Sequence, residues 1–256
     1  MTELTNDGTV SRVAVITGGA SGIGLSVATH LAAAGHRIAI FDQNGDEAHK
    51  AAEDLRSSGS EAMSAEVDVT DRAAIDAALG QVREAFGPVQ ILVTSAGIEA
   101  QLPFTDITAQ GWERMIAVNL TGTFNAAQAV IPDMTAAGWG RIVTISSSSA
   151  QGGAPQRAHY VASKGGVIAL TKALAYEYSP EGITVNTIPP SIIDTPMAQQ
   201  GVQNGYIPAI SDLAAMTPVR RAGLPDDVGA AAAFLCSEQA GFITGQIIGV
   251  NGGWYI

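Results

Sequence analysis

Seven short β-branched runs punctuate this chain, and longer alanine-rich segments of helical period separate them. The runs are Val13 to Ile16, Arg37 to Phe41, Glu61 to Val67, Val89 to Val93, Arg141 to Ile145, Thr184 to Ile188 and Gln246 to Val250. Being apolar on both faces, they suit strands of a parallel sheet covered on both sides, and the segments between them suit crossover helices. The alternation predicts an α/β fold, a Rossmann-type doubly wound parallel sheet of seven strands flanked by helices. No repeat, low-complexity tract or Pro/Gly-rich linker divides the 256 residues, so a single domain is expected, with residues 1–10 flexible. Residues 189–218 are rich in Pro, Gln and Ser and weakly periodic. They are expected to form a substrate lid, a disordered surface loop being the other reading.

Charge and composition exclude several classes of partner. The net charge of -11 disfavours nucleic acid and anionic membranes, which an acidic surface repels. No apolar run reaches the roughly 18 residues a membrane span needs. Met1 to Asp7 are polar and acidic, unlike a signal peptide, so a cytoplasmic location is expected. The lone Cys236, within Phe234-Leu235-Cys236-Ser237, excludes an internal disulfide and reads as a small buried hydrophobe. No metal site is expected. On so acidic a chain, a phosphate must be met by backbone dipoles or a few local cations.

The first run leads straight into Thr17-Gly18-Gly19-Ala20-Ser21-Gly22-Ile23-Gly24 and then a helical pattern, Leu25 to Ala34. Glycines at a strand-to-helix junction permit a tight turn and let a pyrophosphate approach the backbone. They also let the helix pack close, and its N-terminus offers unpaired N–H groups to the anion. The spacing is Gly-x-x-x-Gly-x-Gly rather than the more general Gly-x-Gly-x-x-Gly. Asp42 ends the second run, 18 residues beyond Gly24. A carboxylate there accepts from both hydroxyls of an adenosine ribose and repels a 2'-phosphate, and neither Ser21 nor Gln43 offers a compensating cation, so NAD is favoured over NADP. The competing reading is that Asp42 starts a turn with Asn44-Gly45. Asp68-Val69, after the third run, reads either as an adenine contact or as a helix-capping environment.

Tyr160 and Lys164 lie four residues apart, so on a helix they rise from one face. A free phenol has a pKa of roughly 10, and a nearby ammonium favours the phenolate. The pair is a candidate proton-transfer device, although this spacing alone also describes a half-buried aromatic beside a solvated charge.

Taken in order, Thr17 to Gly24, Asp42, Asp68-Val69, Thr94-Ser95-Ala96-Gly97, Asn119, Ser147, Tyr160 to Lys164 and Pro190 to Thr195 resemble the motifs of the short-chain dehydrogenase/reductase family, from about Ser11 to Trp254. The resemblance implies a seven-stranded sheet, a nicotinamide cofactor and a homo-oligomer, dimeric or tetrameric. It implies Gly18, Ser21, Gly22, Ile23, Gly24, Asp42, Gln43, Asp68, Val69, Ser95, Ala96, Gly97, Tyr160, Lys164, Pro190, Ile193 and Thr195 as cofactor-binding. Ser147 would polarise the substrate oxygen, Tyr160 would give or take the proton, and Lys164 would hold the nicotinamide ribose and stabilise phenolate. Asn119 would interrupt a long helix and hold a water in the proton relay, unless it is a plain helix-surface amide. The tail Gly245 to Gly253 resembles the family's last strand, which typically lies at a subunit interface.

Two departures stand out. Ser95 replaces the family's usual second Asn, exchanging an amide for a hydroxyl. Ser191 stands where the family usually has Gly, which suggests a different or strained backbone, because serine tolerates positive φ poorly. For the substrate, Glu99, Gln101, Gln151, Gly152, Gly153, Met197 and Tyr206 are expected to face the pocket. Their mixture suits a neutral alcohol or ketone with an apolar portion. With no Lys or Arg in Ser191 to Met216, an anionic handle would have to be met elsewhere, for instance by Arg157, Arg220 or Arg221, the last two reading rather as residues that fix the end of the lid. The expected activity is an NAD-dependent secondary-alcohol dehydrogenase. A 3-oxoacyl thioester reductase or 3-hydroxyacyl dehydrogenase is the nearest alternative, and a noncatalytic NAD sensor is a third.

Overall fold

The computed structural model describes residues 10–256, so the expectation for residues 1–10 lies almost wholly outside the described residues. Six strands form one sheet: β1 Val13–Thr17, β2 Arg37–Asp42, β3 Ala62–Glu66, β4 Val89–Thr94, β5 Gly140–Ile145 and β6 Ile183–Ile188. Their spatial order is β3-β2-β1-β4-β5-β6, and every pairing is parallel. Parallel neighbours require crossovers, which helices provide. These are α1 Gly22–Ala33, α2 Gly45–Ser57, α3 Arg72–Phe86, α4 Ala109–Ile116, α5 Gly122–Ala137, α6 Ser149–Gly152, α7 Ala158–Tyr178, α8 Pro196–Gln203, α9 Ile210–Met216 and α10 Pro225–Leu235.

Because side chains alternate across a strand, each strand feeds two cores. Ala14, Ile16, Ile38 and Ile40 pack under Val27 and Leu31 of α1 and Val228 and Leu235 of α10. Val13, Val15, Ala39 and Phe41 face Ile75 and Leu79 of α3 and Val130 and Met134 of α5. Helix starts follow local chemistry. The Asp71 carboxylate accepts from Ala73 N and Ala74 N to open α3, and Asn44 caps α2 through Glu47 N. Among the described residues, no helix is long and apolar enough to cross a membrane.

The expected seventh strand does not form. Gln246 to Val250 does lie parallel to β6, with Thr187 N donating to Gln246 O at 3.0 Å and Ile248 N donating to Thr187 O at 2.9 Å. The next rung would need an N–H from residue 189, which is proline, so the ladder stops there. At the other end Gly245, at φ +71, bends the segment, and Val185 N bonds the Thr244 hydroxyl instead of a backbone carbonyl. Residues 189–218 carry two short helices, α8 and α9, where weak periodicity suggested only a loop.

Candidate active site

The chain reverses direction in the sheet between β1 and β4, and a crevice opens where the loops beyond those strands part. A cavity of about 800 Å³ occupies this end of the sheet. All six strands contribute their C-terminal loops, through Gly18, Asp42, Asp68, Ser95, Ser147 and Pro190.

The loop after β1 is held by close backbone packing. Gly18 has φ +66, and a Cβ there would lie 2.6 Å from Ala96 N. A Cβ on Gly24 would lie 2.0 Å from Gly18 O, so any side chain would force α1 off the turn. Gly24 serves that packing and does not line the cavity, whereas Ser21, Gly22 and Ile23 do. The Ser21 side chain makes no capping bond to α1. A phosphate is the kind of group that a helix start without a side-chain cap, facing a cavity, can accept.

Asp42 makes the turn contacts that one reading of the sequence expected. Its Oδ2 accepts from Ala20 N at 3.2 Å and its Oδ1 from Asn44 N at 3.1 Å, so it braces the glycine turn and opens the turn into α2 while lining the cavity beside Gln43. Asp68 Oδ1 accepts from Thr70 N and Thr70 Oγ1, and Arg114 lies 3.8 Å away. Those bonds hold its carboxyl below the usual range. Asp68 and Val69 line the cavity, while the capping of α3 falls to Asp71. At Ser95 the loop is tied by backbone, Ser95 N donating to Thr17 O at 3.0 Å. Ala96, Gly97, Pro190, Ile193 and Thr195 also line the cavity. Ser191 is not strained; the positive-φ non-glycine residues described are Gln156 and Arg220, and Ser191 Oγ donates to Asn251 O at 2.8 Å.

Helix α7 buries Tyr160, Ser163, Lys164, Val167 and Thr171, a stripe at three- and four-residue spacing. Lys164 Nζ donates to Ile145 O at 2.8 Å, and Ser146 Oγ donates to Lys164 O at 2.8 Å, fastening the helix to the end of β5. Ser147, Tyr160 and Lys164 line one cavity wall. Asn119 lies in a π-helical turn, Ala117–Thr121, between α4 and α5, so the long helix is indeed interrupted there. Its amide is fully buried. Nδ2 donates to Ile98 O and Ser163 Oγ, both at 3.0 Å, and Oδ1 accepts from Ile98 N at 2.8 Å. Those side-chain donors are therefore spent on joining the β4 loop to α7, and Asn119 is no surface amide.

The acidity expected of Tyr160 is reversed. Burial pushes its phenol up to about 12, Glu99 adds to the rise, and the Ser147 hydroxyl and Arg157 oppose it. Burial pulls Lys164 down to about 8, with Glu99 opposing. For Tyr160, removal from water outweighs the opposing effects of Ser147 and Arg157. Tyr160 thus holds its proton on Oη at neutral pH.

Of the expected substrate-facing residues, Glu99, Gln101, Gly152, Gly153, Met197 and Tyr206 line the cavity, and Gln151 does not. Arg157 lines it in an ion pair with Glu99, Oε1 to Nη2 2.6 Å. Arg221 pairs with Asp227 and Arg220 bonds Ala215 O, so both are engaged at the C-terminal end of the 189–218 segment. The sequence reading missed Trp254 and Tyr255, which line the cavity from the tail. A Cβ on Gly152 would lie 3.3 Å from the Tyr255 ring, so paired glycines in 152–153 were the available signal of a close approach. Cys236 is buried, and its thiol is pushed up to about 12 by that burial.

Comparison with known proteins agrees with this geometry. Residues 18–255 match the profile of a family described as enoyl-(acyl carrier protein) reductase. An acetoacetyl-CoA reductase of Rhizobium meliloti is 40% identical over 96% of this chain and 99% of its own length. A D-threitol dehydrogenase of Mycolicibacterium smegmatis is 37% identical over 96% and 93%. Among solved structures, a gluconate 5-dehydrogenase from Burkholderia cenocepacia, in complex with NADP and tartrate, superposes with a TM-score of 0.88 at 37% identity, covering 94% of each chain. With the sheet order, the glycine turn and the Ser147-Tyr160-Lys164 wall in place, these matches show that the chain belongs to the short-chain dehydrogenase/reductase family, oxidoreductases that use a nicotinamide cofactor.

Proposed function

We propose that this protein is an NAD-dependent dehydrogenase of a secondary alcohol, able to run the reverse ketone reduction. The observation that carries the proposal is that Asp42 lines the same cavity as Ser147, Tyr160 and Lys164. The residues fit a dinucleotide: a glycine cradle that a Cβ would fill, a helix start without a side-chain cap, and a carboxylate at the end of β2 whose neighbours Ser21 and Gln43 carry no positive charge, the one cavity cation at this end, Arg114, lying beside Asp68 among the described residues. Gly18, Ser21, Gly22 and Ile23 would hold the pyrophosphate, Asp42 the adenosine ribose, and Asp68 and Val69 the adenine. Ser95, Ala96, Gly97, Lys164, Pro190, Ile193 and Thr195 would hold the nicotinamide half. When bound, the nicotinamide supplies or accepts the hydride.

The chain's own part is proton management. Ser147 orients the substrate oxygen and polarises it. Tyr160, protonated at Oη, donates to that oxygen in reduction and must first lose the proton to act in oxidation, so oxidation is expected to quicken as pH rises. Lys164, fixed through Ile145 O, keeps a positive charge on the same wall up to about pH 8. Asn119 holds the Gly97-Ile98 loop against α7.

Reduction of a 3-oxoacyl thioester is the second reading, favoured by the 40% identity to an acetoacetyl-CoA reductase. Noncatalytic NAD sensing is disfavoured by the intact Ser147, Tyr160 and Lys164. Exposed Trp112 and Phe124 on α4 and α5, with Phe242 and Ile256 near the tail, support a homo-oligomer. The test is absorbance at the reduced-nicotinamide band, with NAD or NADP, across alcohols and 3-hydroxyacyl thioesters, for the natural chain and Tyr160→Phe. Preference for NADP would refute the role of Asp42, and undiminished turnover in Tyr160→Phe would refute that of the phenol.

A further inference from the structure

The substrate end of the cavity holds an ion pair whose two charges pull the Tyr160 phenol in opposite directions and which is not itself a proton donor or acceptor in the reaction. Glu99 lies two residues past Gly97 on the loop after β4, and Arg157 lies at the N-terminal boundary of α7. Their 2.6 Å contact is mostly shielded from water, with side-chain exposures of 25% and 16%. Shielding two charges is costly, and the loop they join is already tied by Leu102 N donating to Gln156 O at 2.8 Å. On the same loop Gln101 also lines the cavity. The other cations lining the cavity are committed elsewhere: Lys164 to Ile145 O, and Arg114 beside Asp68 at the adenosine end. The lid and tail contribute Met197, Tyr206, Ile207, Trp254 and Tyr255.

We propose that Glu99 and Arg157 form a hydroxyl-recognition site that selects a neutral polyhydroxylated substrate, a polyol or its ketose, over carboxylates, phosphates and acyl thioesters. A hydroxyl both donates and accepts, so neighbouring hydroxyls satisfy a carboxylate and a guanidinium together. An anion meets the Glu99 charge, and among the described residues the one guanidinium lining this end is already paired. An acyl chain would strip water from the pair and return no hydrogen bond. Aromatic rings from the lid and tail offer apolar faces to the C–H side of such a substrate, the apolar portion expected from the sequence.

The inference rests on the dehydrogenase reading and names its substrate class. The experiment compares kcat/KM for short polyols, the matching aldonates, monofunctional secondary alcohols and a 3-hydroxyacyl thioester, in the natural chain, Glu99→Gln and Arg157→Gln. NADH binding by fluorescence serves as the control for an intact fold. The natural chain should prefer polyols. Losing a hydrogen bond to a charged group lowers kcat/KM for polyols about 10- to 100-fold in Glu99→Gln, chiefly through KM. The same variant frees Arg157 and raises the aldonate-to-polyol ratio, while Arg157→Gln leaves Glu99 unopposed and lowers it. Opposite movements of one ratio cannot come from a shared loss of structure. Polyols used no better than monofunctional alcohols, or a ratio moving the same way in both variants, would overturn this inference and leave the dehydrogenase reading standing. Silence across the whole panel with NADH bound would overturn both.

Discussion

Replacing Lys164 by methionine should abolish turnover and yet make the cofactor-free protein more stable at neutral pH. The lysine is 5% exposed, and burial draws its pKa from the ordinary 10.5 down to about 8. That gap corresponds to about 3 kcal/mol of folding free energy lost in keeping the ammonium charged at pH 7. Methionine has similar length and no charge, but it removes the donor to Ile145 O, which costs about 1–2 kcal/mol. The net gain is about 1–2 kcal/mol at pH 7, and at about 2–4 °C per kcal/mol for a chain of this size the melting point rises by several degrees. Between pH 8 and 10.5 the unfolded chain holds this proton and the folded chain does not, so the natural protein gains stability as pH rises through that window. By pH 10 less than about 1 kcal/mol of the burden remains, and the order of the two proteins reverses. Urea denaturation and thermal melts of both at pH 7 and pH 10 measure the difference directly, and contributions from Tyr160 are common to both. If Lys164→Met melts below the natural chain at pH 7, or if the difference does not change with pH, burial is not what sets the state of this lysine.

Gly18→Ala places a side chain at φ +66 and a Cβ 2.6 Å from Ala96 N, so a stability loss of at least about 1–2 kcal/mol and weaker dinucleotide binding are expected. Unchanged NADH affinity in a fluorescence titration would contradict the cradle. Asn119→Ala strips Ile98 and Ser163 of their partner at a cost of about 2 kcal/mol or more. Turnover should fall further than cofactor affinity, and an equal loss in both would mean general misfolding. His36 accepts from Arg12 N, and burial, aided by Arg12, lowers its pKa to about 4. As pH falls from 6.5 the unfolded chain takes up this proton first, so about 2–3 kcal/mol should be lost by pH 4.5. His36→Gln should flatten that part of the stability profile, and parallel profiles for the two proteins would rule the histidine out.

Much of the architecture follows from local pattern. Five of the six strands are buried on both faces and match runs apolar on both faces, since burial on two sides demands it whatever their neighbours, while β3 at the sheet edge is only half-buried. The glycine turn was equally plain, because the backbone conformation at Gly18 and the contact at Gly24 exclude other residues. Asp42, Ser147, Tyr160 and Lys164 could be singled out by position in the chain, and folding gathers all four around one cavity.

What depended on distant neighbours was not readable in this way. The seventh run has the composition of a strand, but its pairing ends because the facing residue on another segment is Pro189. The acidity of Tyr160 followed burial, a property of the whole packed wall, and not the charge four residues along its helix. Glu99 and Arg157, far apart in the chain, became a pair, and Trp254 and Tyr255 became cavity wall, once the folded chain had set their places. Periodicity and glycine placement report constraints that a residue meets within a few neighbours; solvent exclusion and charge pairing arise only when the chain has closed on itself.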